Sequence, residues 1–257
     1  MTVSGLPPTR SSSGSSTVSV SGRVAVAAVL TSIVVTFRRT VTRPMGPACQ
    51  TPLVEPSPPV LPYAVSVLVL TGGASRRMGS HKPSLEVGGL PMVVRVLEAA
   101  RPRPVLVVGR ADDVPDGIPR LVEDPPGGGP VAAIAAGVRQ LPAETEVVVV
   151  LAADLPFVSA AHLDRLVSAA TCDQPAAGAV TVDAAGRRNW LCSAWPRAAL
   201  AAALDRLEDP SGRSMRDLAA GLRPREVADL DGVADDVDTP SDLEEARRRD
   251  GAEGSPT

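Results

Sequence analysis

Residues 64–89 read AVSVLVLTGGASRRMGSHKPSLEVGG, and this stretch decides the fold. It begins with an apolar run, Ala64–Leu70, that is interrupted only by Ser66 and is rich in β-branched valine. Such a run is typical of a strand that is buried on both faces of a parallel sheet. A glycine-rich loop follows directly and contains Lys82, the single lysine in a chain with 26 basic residues. We therefore expect a ligand site where this first strand ends.

Helical and strand patterns alternate along the rest of the chain. The predicted helices are 91–101, 129–141, 159–170, 197–207, 214–222 and 240–249, and the further predicted strands are 104–109, 119–124, 146–154, 176–182 and 190–195. This alternation predicts an α/β fold, a three-layer sandwich with a mainly parallel, Rossmann-like sheet. Because ligands bind beyond the carboxyl ends of parallel strands, we expect the site at the loops after Leu70, Gly109 and Ala153.

The loop after the first strand has the composition of a phosphate-binding loop. Glycines let backbone N–H groups approach a polyanion closely, and Gly72, Gly73 and Gly79 meet that need. Arg77 and Lys82 add positive charge. The spacing matches neither a P-loop, where lysine follows glycine directly, nor the GxGxxG dinucleotide fingerprint. A turn with solvated arginines is the alternative, but the lone lysine favours a point charge that can follow a phosphate.

Composition and charge exclude several classes of partner. Residues 1–54 carry a net charge of +5, and the remainder carries −8. An acidic body with 2 % aromatic residues lacks the basic stripe and the stacking platforms of a nucleic-acid-binding protein. Three cysteines without a CxxC pair indicate unlinked thiols in a reducing compartment, so we expect a cytoplasmic protein.

The first sixty residues differ in composition from the rest. Residues 11–22 are a serine-rich, low-complexity stretch, and 24–37 form an apolar run too short to span a bilayer comfortably. Segment 1–60 is a disordered extension, a targeting segment, an ordered part of the protein, or the result of a start assigned too far upstream. We expect one catalytic domain at 61–250, without a membrane segment, and a disordered tail at 251–257.

Three aspartates are candidate ligands, and two of them, Asp124 and Asp154, end predicted strands. Asp154 ends a fully apolar strand, and a carboxylate there is costly to bury without a cation. Mg²⁺ is the oxygen-seeking cation expected beside a nucleotide. Asp124 precedes a glycine loop that opens a helix, whose N-terminus can take polar ligands. Asp238 is a candidate second oxygen ligand, and turn formation or helix capping is the alternative role for all three.

The opening stretch resembles the signature loop of the molybdenum cofactor guanylyltransferases, a MobA-like nucleotidyltransferase family. Three further segments resemble that family: EDPPGGGPVAAIAAG (123–137), LAADLPF (151–157) and DDVDTPSDLEEAR (235–247). The resemblance implies a set of contacts that we carry over residue by residue. It implies nucleotide contacts by Leu70, Thr71, Gly72, Gly73, Lys82, Asp124 and Asp154, phosphate contacts by Arg77 and Lys82, and metal binding by Asp154 and Asp238.

By the same resemblance, the expected activity is Mg²⁺-dependent nucleotidyl transfer, with Lys82, Arg77 and Asp154 as catalytic residues. GTP is the expected donor and molybdopterin the expected phosphorylated acceptor. A related enzyme with another nucleotide or acceptor is one alternative, and a non-catalytic nucleotide-binding partner protein is another. The arginines that could hold an anionic acceptor are Arg187, Arg188, Arg213 and Arg216.

The sequence departs from the family pattern at four places. Thr71 and Ala133 replace the usual alanine and glycine, and the second strand is followed by Gly109 instead of an asparagine. Asp238 replaces an asparagine, and aspartate often stands there in relatives that transfer cytidylyl groups. The choice of nucleobase therefore stays open at this point.

Overall fold

The computed structural model describes residues 64–72, 82–110, 113–172, 177–230 and 232–253, all of them within one compact unit, Pro56–Thr257. The predictions for segment 1–60, for Gly73 and Arg77, and for 254–257 lie outside the described residues. Within the described residues the strands are β1 (Val65–Leu70), β2 (Glu86–Val87), β3 (Leu90–Pro91), β4 (Val105–Val108), β5 (Arg120–Leu121), β6 (Val147–Ala152), β7 (Ala179–Val182), β8 (Arg188–Pro196) and β9 (Arg225–Ala228). The α-helices are α1 (Met92–Ala100), α2 (Pro130–Gln140), α3 (Ala160–Thr171), α4 (Arg197–Asp205), α5 (Met215–Leu218) and α6 (Pro240–Glu253).

Seven of these strands form one sheet, in the order β5-β4-β1-β6-β8-β7-β9. β1 lies parallel to both of its neighbours, and the register places Leu70 beside Val108 of β4 and Ala152 of β6. β5 is parallel to β4, whereas β8 is antiparallel to β6 and β7. The sheet is therefore mainly parallel, as predicted, and β4, β1 and β6 end together at one edge.

Helices cover both faces of this sheet. Successive side chains of a strand point to opposite faces, and all six residues of β1 are buried. Val67 and Val69 share a hydrophobic cluster with residues of α1 and α3. Leu68 and Leu70 share another with residues of α2 and α4. The predicted three-layer α/β sandwich is confirmed, and β1 is buried between its two helical layers.

The structure differs from the sequence prediction mainly at short or exposed elements. The hairpin β2–β3 and the strand β9 were not predicted, because the former has two-residue strands and the latter is mostly exposed. Helix α5 spans four residues instead of nine. Helix α6 extends to Glu253, so that 251–253, expected in the tail, are helical. Ser159 caps α3 as predicted, since its hydroxyl accepts the His162 N–H at 3.2 Å.

No helix within the described residues is long and apolar enough to cross a membrane.

Candidate active site

The carboxyl ends of β1, β4 and β6 bring three loops together. The Thr71 N–H donates to the Val108 carbonyl at 2.9 Å, and the Ala153 N–H donates to the Leu70 carbonyl at 3.0 Å. These hydrogen bonds continue the parallel ladders one residue beyond the strands. The loops after Leu70, Gly109 and Ala153 therefore begin side by side, as the strand pattern predicts.

Lys82 lies between two carboxylates, and we call Lys82, Asp154 and Asp238 the charge cluster. The Lys82 Nζ donates to Asp154 Oδ2 at 2.5 Å and also to Asp238 Oδ1. Its side chain is only 11 % exposed. The Val237 N–H donates to the Asp154 carbonyl at 3.2 Å, which joins the segment before α6 to the loop after β6. Three segments that are distant in sequence thus converge on one ammonium group.

The carboxylates of the cluster change the pKa of Lys82 and of the nearby Asp236. Burial by itself would lower the pKa of Lys82, but the charge of Asp154 and the hydrogen bonds to Asp154 and Asp238 offset it and raise the pKa. Partial removal from water, then the negative charges of Asp238 and Asp154, raise the pKa of the neighbouring Asp236. The second oxygen of Asp154, Oδ1, is buried without a hydrogen-bond partner in the described part of the chain. The cluster therefore retains unsatisfied negative charge around a protonated lysine.

Arg95, on α1, connects the segments that carry the charge cluster. Its Nε donates to the Pro156 carbonyl at 2.8 Å, in the loop after β6. Its Nη1 donates to the Val87 carbonyl at 3.1 Å, in the hairpin β2–β3, and pairs with Asp250 of α6 at 2.7 Å. The guanidinium also lies over the Phe157 ring, 5.6 Å from the centroid. One side chain thus fixes three segments relative to one another.

A cavity of about 570 Å³ lies where β1, β4 and β5 end, and we call it the glycine cavity. Its walls include Leu70, Thr71, Gly72, Gly109 and Glu123, together with the loop before α2. This volume is within the range of about 300–1,000 Å³ that is usual for small-molecule sites. Leu70, Thr71 and Gly72, for which the family resemblance implies nucleotide contacts, therefore line this cavity.

Close approach of two loops explains the glycine at position 109. Gly109 has a φ of +114°. A Cβ atom there would lie 2.7 Å from both the Gly72 nitrogen and the Thr71 Oγ1. Such contacts are too short for a real side chain, so the wall of the cavity requires glycine at this position.

A buried carboxylate, Glu123, faces the same cavity and was not predicted. Its residue exposure is 7 %, and its Oε1 accepts the Gly127 N–H at 2.9 Å. Its Oε2 is buried, with no hydrogen-bond partner in the segments that the structure describes. The predicted nucleotide contact, Asp124, is exposed, and its neighbour Glu123 is the carboxylate that lines the cavity. Nothing in the local sequence separates Glu123 from Asp124, since both follow the two-residue strand β5.

Two of the four arginines suggested for the acceptor form ion pairs within the protein. Arg187 pairs with Asp183 at 2.6 Å, and Arg188 pairs with Glu226 at 2.8 Å. The segment that contains the other two does approach the cavity loop, since the Gly212 N–H donates to the Gly128 carbonyl at 2.8 Å. Of the two candidate regions for the acceptor, the chain near Gly212 is therefore the one that adjoins the cavity.

The predicted site residues thus fall into two groups. Leu70, Thr71 and Gly72 line the glycine cavity, and Lys82, Asp154 and Asp238 form the charge cluster. The described residues contain no group of three or more His, Cys, Asp or Glu arranged to hold a metal ion. Asp154 and Asp238, which the family resemblance implies as metal ligands, are the two carboxylates that contact Lys82.

Comparison with known proteins identifies the family. Residues 67–226 match the MobA-like NTP transferase domain. A probable molybdenum cofactor guanylyltransferase from Opitutus terrae is 33 % identical over 170 residues, which cover 64 % of this chain and 82 % of the relative. The molybdenum cofactor guanylyltransferase of Mesorhizobium japonicum is 31 % identical over 200 residues, 72 % of this chain and 95 % of the relative.

A solved structure shares the fold. Molybdopterin-guanine dinucleotide biosynthesis protein A from Archaeoglobus fulgidus superposes with a TM-score of 0.58 at 22 % identity, covering 73 % of this chain and 99 % of its own. With a family match that spans more than half of its length, the chain belongs to the MobA-like NTP transferase domain family.

Proposed function

We propose that this protein transfers GMP from GTP to a phosphorylated acceptor, molybdopterin, and releases pyrophosphate. The observation that carries the proposal is the charge cluster. An ammonium group lies between two carboxylates at the edge of the sheet where α/β folds bind their ligands. The names of the two curated relatives support guanylyl transfer to the molybdenum cofactor. Cys172 and Cys192 form no disulfide within the described residues, which supports a reducing location, the cytoplasm.

The proposed reaction requires positioning and charge neutralisation more than covalent chemistry. An oxygen of the acceptor phosphate forms a bond to the α-phosphorus of GTP. The bond from the α-phosphorus to the bridging oxygen breaks, and pyrophosphate leaves with that electron pair. Lys82 neutralises negative charge that accumulates on the phosphate oxygens during this exchange. The backbone of Thr71 and Gly72 holds the nucleotide in the glycine cavity.

The charge cluster fits Mg²⁺. Magnesium is commonly held by one or two carboxylates together with substrate phosphates. Asp154 offers a buried Oδ1 without a hydrogen-bond partner in the described residues, and Asp238 offers a second carboxylate 58 % exposed. Asp154 and Asp238 would hold the ion. Bound there, Mg²⁺ would supply positive charge that polarises phosphate oxygens.

Lys82 has to change partners for this site to work. Its ammonium group contacts both carboxylates that would bind the metal. The arriving nucleotide offers phosphate oxygens in exchange, and a lysine on its flexible stem can follow them. A cation can then take the place of the ammonium group beside Asp154 and Asp238. In this view the ion pairs keep the two carboxylates in position until substrate binds.

A pyrophosphate-release assay tests the proposed function. The purified full chain is incubated with Mg²⁺ and GTP, CTP or ATP, with and without molybdopterin, and pyrophosphate is measured. We expect release with GTP that depends on the acceptor. If CTP is the one nucleotide that gives pyrophosphate release in the presence of the acceptor, the result would favour the cytidylyl transfer that Asp238 suggests. Binding of nucleotide without any release would favour the non-catalytic partner protein.

A further inference from the structure

Glu123 is the one carboxylate among the described lining residues of the glycine cavity, whose other polar side chains are those of Thr71 and Arg110. Only 7 % of the residue is exposed. Its Oε1 lies 2.9 Å from the Gly127 nitrogen, and a Cβ on Gly72 would lie 4.0 Å from the same oxygen. Glu123 therefore lies against the loop that the sequence predicts to bind a nucleotide.

Only one of the two carboxylate oxygens of Glu123 accepts a hydrogen bond from the described part of the protein. Oε1 has its backbone donor, whereas Oε2 has none among the described residues. A buried carboxylate without its hydrogen bonds is costly. One hydrogen bond to a loop N–H would not require an ionised side chain, because serine or asparagine could accept it as well. The second oxygen indicates a ligand that brings its own donors.

We propose that Glu123 selects guanine by accepting hydrogen bonds from the base. This inference rests on the proposed function, because it assumes that the glycine cavity holds the nucleobase. Guanine presents two adjacent donors on its Watson–Crick edge, N1–H and the N2 amino group, and a carboxylate accepts both. Adenine and cytosine present an unprotonated ring nitrogen at the equivalent edge, which repels a carboxylate. Glu123 is then a specificity-determining residue, with no part in the bond changes.

The other walls of the cavity suit a flat, largely apolar ring. Leu70, Val122 and Pro130 contribute hydrocarbon surface, and Gly72 and Gly109 leave room because they have no side chain. A ligand pocket of this kind usually combines apolar walls with a few polar groups that fix orientation. Within the described lining residues, Glu123 is the one carboxylate.

Equilibrium binding of nucleotides to the full chain tests the inference without any acceptor. GTP, ITP, N1-methyl-GTP and CTP are titrated calorimetrically with Mg²⁺ present. ITP lacks the N2 amino group, and the methylated analogue lacks N1–H. We expect each loss to weaken binding to the wild type by about 10- to 100-fold, the usual value of a hydrogen bond to a charged group. CTP should bind at least as weakly as these analogues.

The variant Glu123→Gln isolates the carboxylate, since its amide oxygen can still accept the Gly127 N–H. Its amino group then faces the donors of guanine. We expect GTP affinity to fall by about 10- to 100-fold, the GTP-to-ITP ratio to approach one, and CTP affinity to stay unchanged or rise. Thermal melting of the ligand-free variant checks its fold, and the analogue series on the wild type decides the question if the variant does not fold.

The outcomes separate this inference from the proposed function. Equal binding of GTP, ITP and N1-methyl-GTP by the wild type would overturn the role of Glu123, as would an unchanged GTP-to-ITP ratio in Glu123→Gln. A wild type that prefers CTP would overturn guanine selection while leaving nucleotidyl transfer in place. A wild type that binds none of these nucleotides would contradict the proposed function itself.

Discussion

The charge cluster and the glycine cavity lie at the same edge of the sheet but differ in whether their charged groups already have partners within the protein. In the charge cluster, Lys82 pairs with Asp154 and Asp238, so that a cation is already present among the anions. In the glycine cavity, one oxygen of Glu123 has no partner among the described residues. A ligand must therefore displace an existing ion pair in the first region, whereas it completes an unfinished hydrogen-bond set in the second.

This difference predicts different costs for ligand binding. Opening the charge cluster exposes two carboxylates, and their mutual repulsion is relieved only if a cation or a phosphate-bound metal replaces the ammonium. Filling the glycine cavity removes an existing penalty, so every donor supplied by the base adds to affinity. The first region is thus suited to chemistry that moves charge, and the second to recognition.

The largest expected effect is that of removing a carboxylate from the charge cluster. Asp154→Asn keeps the shape of the side chain but removes its negative charge and its capacity to bind a cation strongly. We expect kcat for nucleotidyl transfer to fall by about 10³-fold, with little change in thermal stability. Asp164→Asn is the matched control, because Asp164 pairs with Arg103 away from the site. Near wild-type turnover in Asp154→Asn would contradict the assignment of Asp154 to the metal.

Removing the ammonium group of Lys82 from the charge cluster should give the next largest effect. In Lys82→Met, kcat should fall by about 10²-fold, because charge on the phosphates loses its neutralising partner. Lys82→Arg should recover only part of the loss, since the guanidinium is bulkier and less adaptable. If Lys82 has no role in the reaction, steady-state kinetics will place both variants within about twofold of the wild type.

A binding measurement distinguishes this view of Lys82 from a general loss of structure. Without nucleotide, Mn²⁺ affinity measured by electron paramagnetic resonance should rise in Lys82→Met. If the ion pairs hold the cluster closed nine-tenths of the time, the gain is about tenfold. Weaker Mn²⁺ binding in this variant would contradict the idea that the ammonium group competes with the metal.

The wall of the glycine cavity provides the third test. Gly109→Ala places a Cβ 2.7 Å from backbone and side-chain atoms of the first loop, at a positive φ. We expect it to lower the free energy of unfolding, measured in urea, by about 2–4 kcal/mol. Gly186→Ala is the matched control, since Gly186 has a φ of +77° but nothing within 4 Å of the position that a Cβ would take. Strain alone should cost this control about 1–2 kcal/mol. Equal losses in the two variants would show that the close approach does not constrain the cavity.

The sequence predicts the strands of the central sheet well for a physical reason. β1 and β6 are buried on both faces, so each is an unbroken or nearly unbroken apolar run. β9 is an exposed strand at the end of the sheet, and no such run marks it.

The site was predictable only in part. The residue types of the charge cluster stand out locally, but the partners of Lys82 lie 72 and 156 residues away. That the ammonium pairs with both proposed metal ligands follows from the tertiary structure alone. Glu123 was missed in favour of its neighbour Asp124. Both residues follow the two-residue strand β5, and the tertiary structure decides which of the two side chains is buried.

The smallest expected effect concerns Arg95, which connects the segments around the charge cluster through its contacts with Pro156, Val87 and Asp250. Arg95→Gln removes the pairing with Asp250 and weakens the hold on the loop after β6. We expect Mn²⁺ affinity and kcat to fall by about tenfold, the scale of one lost hydrogen bond to a charged group. The affinity for GTP measured without metal should stay near that of the wild type.

The matched control for Arg95 is Arg103→Gln. Arg103 lies just beyond the same helix, is also largely buried, and pairs with Asp164 on α3. Both variants lose an ion pair that is partly shielded from water, so both should lower the melting temperature by a similar amount. Only Arg95→Gln should weaken Mn²⁺ binding, because Arg95 and not Arg103 holds the loop that carries Asp154. If the two variants lose metal affinity equally, Arg95 supports the fold as a whole, and the geometry of the charge cluster does not depend on it.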